Sequence, residues 1–169
     1  GYTVRSEVCR ALGKSGDKSV EPLLKEMIEK DSWLDVIRTG AMSGLYQLTD
    51  DIEILKKYSK PGHAKRTRLT AIAILGLVGK GRKDVLDTLT ELAEDKFTLV
   101  QIGAAQALAA VGDERAIPVL EKLTKGNRDG RLIRAAEESI RTIYPWLDSD
   151  METYRASEEM RKKLEKKDK

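Results

Sequence analysis

The most constraining feature of this sequence is an internal repeat. Five segments place small and apolar residues on one helical stripe that ends at a large apolar residue: VRSEVCRALGKSGD (4–17), IRTGAMSGLYQLTD (37–50), TRLTAIAILGLVGKG (67–81), VQIGAAQALAAVGD (100–113) and LIRAAEESI (132–140). Their large residues, Leu12, Leu45, Leu75, Leu108 and Ile140, follow one another at intervals of 30 to 33 positions. A period in the low thirties over five copies is typical of stacked helical repeats.

A second kind of helix is predicted between these segments. Residues 17–30, 50–60, 83–95 and 113–126 carry apolar residues at helical spacing on a single stripe. Each opens with an acidic residue suited to capping a first turn, namely Asp17, Asp50, Asp84 and Asp113. We call these the A helices and the small-residue helices the B helices. Ala, Leu, Ile, Lys and Glu dominate and Phe occurs once, a composition that favours an all-α fold.

The motif order resembles the HEAT repeat over about residues 3–145. The A helices carry Pro in their early turns, a turn with Asp follows, and B helices begin with an apolar residue and Arg. The residues concerned are Pro22 and Pro118, Asp31, Asp95 and Asp129. The resemblance implies a right-handed α-solenoid of about four HEAT-like helix pairs in residues 1–147, with the A helices outside and the B helices inside.

The two ends of the predicted solenoid differ. The first B helix, residues 4–14, has no A helix before it, so Val4, Val8 and Leu12 form an open apolar surface. Because solenoid ends usually present a polar face, we expect that the chain was cut from a longer protein or that this end packs on a partner. After Pro145, Ser149 and Glu152 form a capping-box pattern. This pattern predicts a C-terminal capping helix at 148–164 and a charged tail at 165–169.

The sequence contains few residues that could serve in catalysis or bind a metal. A catalytic zinc usually takes three protein ligands, commonly including two histidines, and His63 is the only histidine; we expect it to be a solvent-exposed turn residue. Cys9 lies beside Val8 and Leu12, where a small buried hydrophobe is the default. The stretch GKGRKD (79–84) lacks the order of a phosphate loop. We predict no catalytic, metal-binding or cofactor-binding residue in these 169 positions.

The distribution of charge and the length of the apolar runs limit the classes of partner that this chain could bind. The last ten residues hold six Lys or Arg against two Asp or Glu, so the rest of a chain with net charge +3 is close to neutral. The basic stretch KKYSKPGHAKRTR (56–68) suits phosphate binding, with Tyr58 able to stack on a base, but a nucleic-acid binder usually spreads positive charge over a face. The longest apolar run is too short for a membrane helix. We expect a cytoplasmic protein that binds protein or peptide, not nucleic acid or membrane.

Two sets of residues recur inside the B helices. Arg5, Arg38 and Arg68 share one repeat position, where they form either an anion-binding stripe or a ladder of Asp–Arg pairs, with Asp31 the candidate partner of Arg38. Glycines lower helix propensity, and this cost persists where a neighbouring helix approaches the backbone closely. The glycines, which include Gly40 and Gly44, therefore predict contact strips between stacked repeats.

The order of several motifs is similar to the C-terminal HEAT-like region of gluzincin zinc aminopeptidases of the puromycin-sensitive and tricorn-interacting kind. The motifs are DSWLDVIRTGAMSGL, at residues 31–45, and KPGH, at residues 60–63. The resemblance implies a parent enzyme that removes N-terminal residues from peptides with a zinc held elsewhere. This segment would be the arch that closes over its own N-terminal catalytic domain. Gly40-Ala41-Met42 resembles the start of that family's substrate loop, but it lies within a predicted helix and takes no catalytic role.

Three functional hypotheses follow. The first is the aminopeptidase C-terminal domain, the second a free-standing HEAT-repeat adaptor for protein interaction, and the third a weak nucleic-acid-binding module. The predicted partner-binding residues start the B helices, and burial under the turns is the alternative for Trp33 and Phe97. The set is Trp33, Asp35, Arg38, Lys65, Arg68, Phe97, Gln101 and Arg134.

Overall fold

A computed structural model of the chain describes residues 1–30, 32–125 and 129–144. Nine α-helices follow one another in this part of the chain, and three short 3₁₀ turns precede α2, α3 and α8. The helices are α1 (Tyr2–Lys14), α2 (Glu21–Glu29), α3 (Val36–Thr49), α4 (Ile52–Ser59), α5 (Lys65–Val78), α6 (Lys83–Leu92), α7 (Thr98–Val111), α8 (Ile117–Thr124) and α9 (Gly130–Ile143).

The helices stack in the order that the repeat predicts. The B helices α1, α3, α5, α7 and α9 contact one another in succession and form one layer. Each A helix, α2, α4, α6 or α8, packs mainly on the B helix that follows it. The prediction of an α-solenoid with four helix pairs and a leading B helix is therefore confirmed.

The large residue that ends each B-helix stripe lies in the core. Leu45, Leu75, Leu108 and Ile140 are almost completely buried, whereas Leu12 is only partly covered. Leu12 belongs to α1, which has a neighbouring B helix on one side only. The same end of the stack exposes Val4 and Val8, as predicted, and also Tyr2.

Glycines allow α1 and α3 to approach within backbone contact. A Cβ atom on Gly40 would overlap Ser6, and one on Gly44 would overlap the carbonyl oxygen of Cys9. The same contact recurs further along the stack, where a Cβ on Gly76 would lie 2.8 Å from the Cα of Ala107. The predicted contact strip is confirmed, because these positions leave no room for a side chain.

Two of the four predicted caps are confirmed and two are wrong. Asp17 and Asp113 accept hydrogen bonds from backbone amides two residues ahead. The cap of α4 is Asp51, because Asp50 takes a left-handed conformation that ends α3. Asp84 lies inside the first turn of α6, where its carboxylate accepts a hydrogen bond from Lys56 instead of capping the helix.

Some predictions fall on residues outside the described ranges. These are the capping helix at 148–164, the tail at 165–169 and the pairing of Asp31. Among the helices of the described ranges, none is both long enough and apolar enough to cross a membrane.

Candidate partner-binding surface

The eight residues predicted to bind a partner separate into two groups. Trp33 is 69% exposed, and Lys65, Phe97 and Arg134 are also exposed, while Gln101 is half-buried. Trp33 and Phe97 are therefore not covered by the turns. The remaining three, Asp35, Arg38 and Arg68, point into the protein and form polar contacts there.

Arg68 ties two successive repeats together. Its side chain is 2% exposed, its Nε donates to the carbonyl oxygen of Ser59 at 2.8 Å, and its Nη2 lies 2.5 Å from Oδ2 of Asp95. The prediction that Arg68 faces a partner is wrong, because the guanidinium is bound by the end of α4 and by the turn between α6 and α7. The Asp–Arg ladder is the correct interpretation at this position.

Several groups bind the Asp95 carboxylate. Burial alone would raise the pKa of Asp95, but hydrogen bonds from Arg68 and from the backbone amide of Phe97 hold that pKa below its ordinary value. Asp95 therefore stays ionised, and it fixes the turn from which exposed Phe97 leads into α7. The buried bonds of Asp95 thus hold the turn that carries the exposed side chain of Phe97.

Arg38 occupies the equivalent place one repeat earlier. Its Nε donates to the carbonyl oxygen of Ile28 at 2.7 Å, and its Nη1 donates to Oδ1 of Asp35 at 2.8 Å. The other carboxylate oxygen of Asp35 accepts a hydrogen bond from the hydroxyl of Thr67 at 2.7 Å. Asp35 is therefore an internal link between α3 and α5 and not a surface ligand. Arg5, in contrast, is exposed and makes no ion pair with the described residues.

The chain entering α3 is strained. Leu34 and Asp35 have φ values of 52° and 54°, a left-handed conformation that costs a residue with a side chain about 1–2 kcal/mol. The buried bonds of the Asp35 carboxylate to Arg38 and Thr67 hold this geometry in place. As a result Trp33 and Leu34 are directed to the outside, both more than half exposed.

An apolar groove of about 540 Å³ lies beside this turn and along α5. Two cations and no acid contribute to its wall, which is otherwise apolar apart from one threonine. It is lined by Leu34, Lys65, Arg66, Leu69, Thr70, Ala73, Ile74 and Leu77. The sequence does not reveal this groove, because α5 is apolar on nearly every side after its basic first turn, so the exposed stripe is hidden within the run AIAILGLV.

The basic stretch at 56–68 is less available than its composition suggests. Tyr58 is 3% exposed and donates its hydroxyl to Glu29, so it is not able to stack on a base as predicted. Burial, followed by that bond, raises the pKa of Tyr58 to about 12. Lys56 pairs with Glu53 and Asp84. Lys57, Lys60, Lys65 and Arg66 remain exposed.

His63 is also more enclosed than predicted. It is half-buried, and its ring centroid lies 4.7 Å from that of Tyr58. Burial, and then the nearby cations Lys57, Arg38 and Arg68, lower the pKa of His63 below its ordinary value. His63 lies in the turn between α4 and α5 as predicted, but the prediction that it is solvent-exposed is wrong, because the imidazole packs against Tyr58 near the end of α4.

The cysteine and the Gly-Ala-Met segment considered for catalysis both lie in packed positions. Cys9 is buried as predicted, and burial raises the pKa of its thiol. Ala41 and Met42 are completely buried in the middle of α3, a position incompatible with a substrate loop. Across the described ranges, no three His, Cys, Asp or Glu side chains cluster closely enough to hold a metal ion.

Comparison with known proteins bears on the family. No curated protein matches the chain. The family model described as HEAT repeats matches residues 52–141, just over half of the sequence and the span from α4 to α9. The packing of α1, α2 and α3 continues the same pattern towards the N-terminus. The chain therefore belongs to the HEAT repeat family.

Proposed function

We propose that this chain is a non-catalytic helical-repeat scaffold that binds protein or peptide along the starts of its B helices. The observation that carries this proposal is the set of large apolar side chains left in solvent there: Trp33, Leu34, Phe97 and Leu99. Aromatic residues are enriched in protein interfaces, and HEAT repeats commonly mediate protein interactions. Isolated exposed apolar residues are ordinary, but these four lie as two pairs, one at the start of α3 and one at the start of α7.

A finer proposal concerns the parent protein. We propose that the chain is the C-terminal domain of a cytoplasmic zinc aminopeptidase, where it shields the catalytic site and contacts the catalytic domain. Its support is the similarity of the stretches at 31–45 and 60–63 to the C-terminal region of that enzyme class. In such a protein the zinc and the catalytic residues belong to the upstream domain.

The coding sequence upstream of Gly1 tests the finer proposal first. It is expected to encode His-Glu-x-x-His, and the purified upstream domain is expected to bind this chain in a co-elution assay. If that motif is missing, the aminopeptidase origin is wrong. The chain would then be a free-standing adaptor, with a partner recovered through the same surface.

Nucleic-acid binding is the competing function for the basic stretch. It predicts retention of labelled DNA or RNA that weakens steeply with salt. The triple substitution Lys60→Gln, Lys65→Gln and Arg66→Gln removes three exposed cations without touching the buried pair of Arg68. Retention at low salt that this variant abolishes would favour a nucleic-acid-binding module over the scaffold.

A further inference from the structure

We propose that the groove between Leu34 and α5 receives an amphipathic helix of a partner protein, with an apolar stripe on one face and carboxylates at one end of that stripe. This inference rests on the proposed scaffold function and names the chemistry of the partner. The groove's shape, its exposed apolar side chains and its charge each contribute to the argument.

The shape of the groove suits a helix. Its floor is one face of α5, where Lys65, Leu69, Ala73 and Leu77 succeed one another at intervals of four residues. At 1.5 Å per residue this face runs for about 18 Å, the length of roughly three helical turns. Amphipathic helices bind such grooves through apolar residues spaced three and four positions apart.

Exposed apolar side chains supply the attraction. Leu77 is 79% exposed at one end of the groove, and Leu34 is half-exposed at the other. Leu34 is held there by a strained turn whose geometry depends on the buried bonds of Asp35. Strain of this kind persists where the surrounding structure fixes it, often at binding sites. Covering these side chains would remove apolar surface from water.

The charge of the groove is concentrated at one end. Lys65 and Arg66 occupy the first turn of α5, and neither makes an ion pair with the described residues. The helix dipole places further positive charge at that end, where Ala64 offers no capping side chain. No acidic residue lines the groove, so an acidic partner could pair with Lys65 and Arg66. This complementarity selects a carboxylate-bearing helix over a basic one.

The experiment uses the full chain and two synthetic helical peptides of 14 residues. Both peptides carry leucines at spacings of three and four, and they end in either three glutamates or three lysines at the same terminus. We expect fluorescence anisotropy to show tighter binding of the glutamate peptide. The variant Lys65→Glu/Arg66→Glu is expected to weaken that binding by about tenfold or more and to favour the lysine peptide instead.

Matched variants control for charge and for exposed apolar surface. Lys14→Glu/Lys18→Glu changes the net charge equally on exposed residues outside the groove and is expected to leave binding unchanged. Leu77→Lys is expected to weaken both peptides, whereas Val8→Lys, an exposed residue on α1, is not. Circular dichroism and thermal melting of each variant establish that the fold is intact.

Several outcomes would overturn the proposal. Equal binding of both peptides, or equal binding to the groove variants, shows that the groove is not the site. Methyl NMR signals of Leu69 and Leu77 that change on removal of residues 145–169 show that the chain's own C-terminal segment occupies the groove. Signals that change on dilution show a second copy there.

Different results would disprove the groove proposal and the proposed scaffold function. If the upstream catalytic domain or another purified partner binds the chain and Lys65→Glu/Arg66→Glu does not weaken the complex, the groove proposal is wrong and the scaffold stands. If neither peptide nor any such partner binds the chain, the proposed scaffold function is itself wrong.

Discussion

The guanidinium of Arg68 and the carboxylate of Asp95, 27 positions apart in the chain, form a buried ion pair with Nη2 and Oδ2 at 2.5 Å. Arg68 lies in the first turn of α5, the B helix of one repeat, and Asp95 lies in the turn between α6 and α7 of the next. The carbonyl oxygen of Ser59 accepts the third bond of this arrangement. One side chain of α5 therefore bonds both to the end of α4 and to the turn between α6 and α7.

Breaking this pair should destabilise the fold strongly. Arg68→Ala leaves the Asp95 carboxylate buried without its cation, a change that typically costs about 3–5 kcal/mol. We expect urea unfolding to show a loss of that size. Lys122→Ala is the matched control, because it removes an exposed pair with Glu94 and should cost less than about 1 kcal/mol. A similar loss in both variants would contradict the structural role of Arg68.

The same carboxylate should make stability depend on pH. The folded-state pKa of Asp95 lies below its ordinary value, so its contribution is complete above the unfolded-state pKa of about 3.9 and is lost as the pH falls through the lowered folded-state value. Asp95→Asn should therefore lower the free energy of unfolding at pH 6 and flatten its decline below pH 4. The flattening should disappear when Asp95→Asn is introduced into Arg68→Met, since the arginine hydrogen bonds help to lower that pKa.

Gly44 should not tolerate a methyl group. Alanine raises helix propensity by about 1 kcal/mol over glycine, yet a Cβ at Gly44 would overlap the backbone carbonyl of Cys9. We expect Gly44→Ala to destabilise the protein by about 1–3 kcal/mol, as overpacking usually does. Gly130→Ala is the control, because nothing lies within 4 Å of its added Cβ. A melting temperature of Gly44→Ala above that of the wild-type protein would contradict the close contact between Gly44 and Cys9.

His63 should titrate below the ordinary histidine value. Burial lowers the pKa of His63 first, and Lys57 lowers it further. An NMR titration of the imidazole signals is expected to give a midpoint below 6.5, and Lys57→Ala should move it upwards. Because the folded state favours the neutral ring, the stability that His63 contributes is present above its unfolded-state pKa and is lost as the pH falls through the lowered value. A midpoint at or above 6.5 would contradict the packing of His63 against Tyr58.

Periodicity determined the architecture of this protein. The intervals between Leu45, Leu75, Leu108 and Ile140 are enough to predict stacked helix pairs, because a repeated buried stripe requires a large apolar residue at the same place in each copy. The glycines of α3 predicted close packing for a similarly local reason, since their cost in helix propensity requires compensation. These inferences depend on spacing and residue type, which the sequence contains in full.

The tertiary structure alone decided which side chains face solvent. Arg38, Arg68 and Trp33 all stand near the start of a B helix, yet the two arginines turn inwards to carbonyl oxygens and carboxylates of neighbouring turns while Trp33 turns outwards. The orientation of Trp33 follows from the left-handed backbone conformation of Leu34 and Asp35, which could not be predicted from the sequence. The groove along α5 could not be predicted for a similar reason: beyond its basic first turn α5 is apolar on nearly every side, so only the packing of neighbouring helices decides which face is exposed.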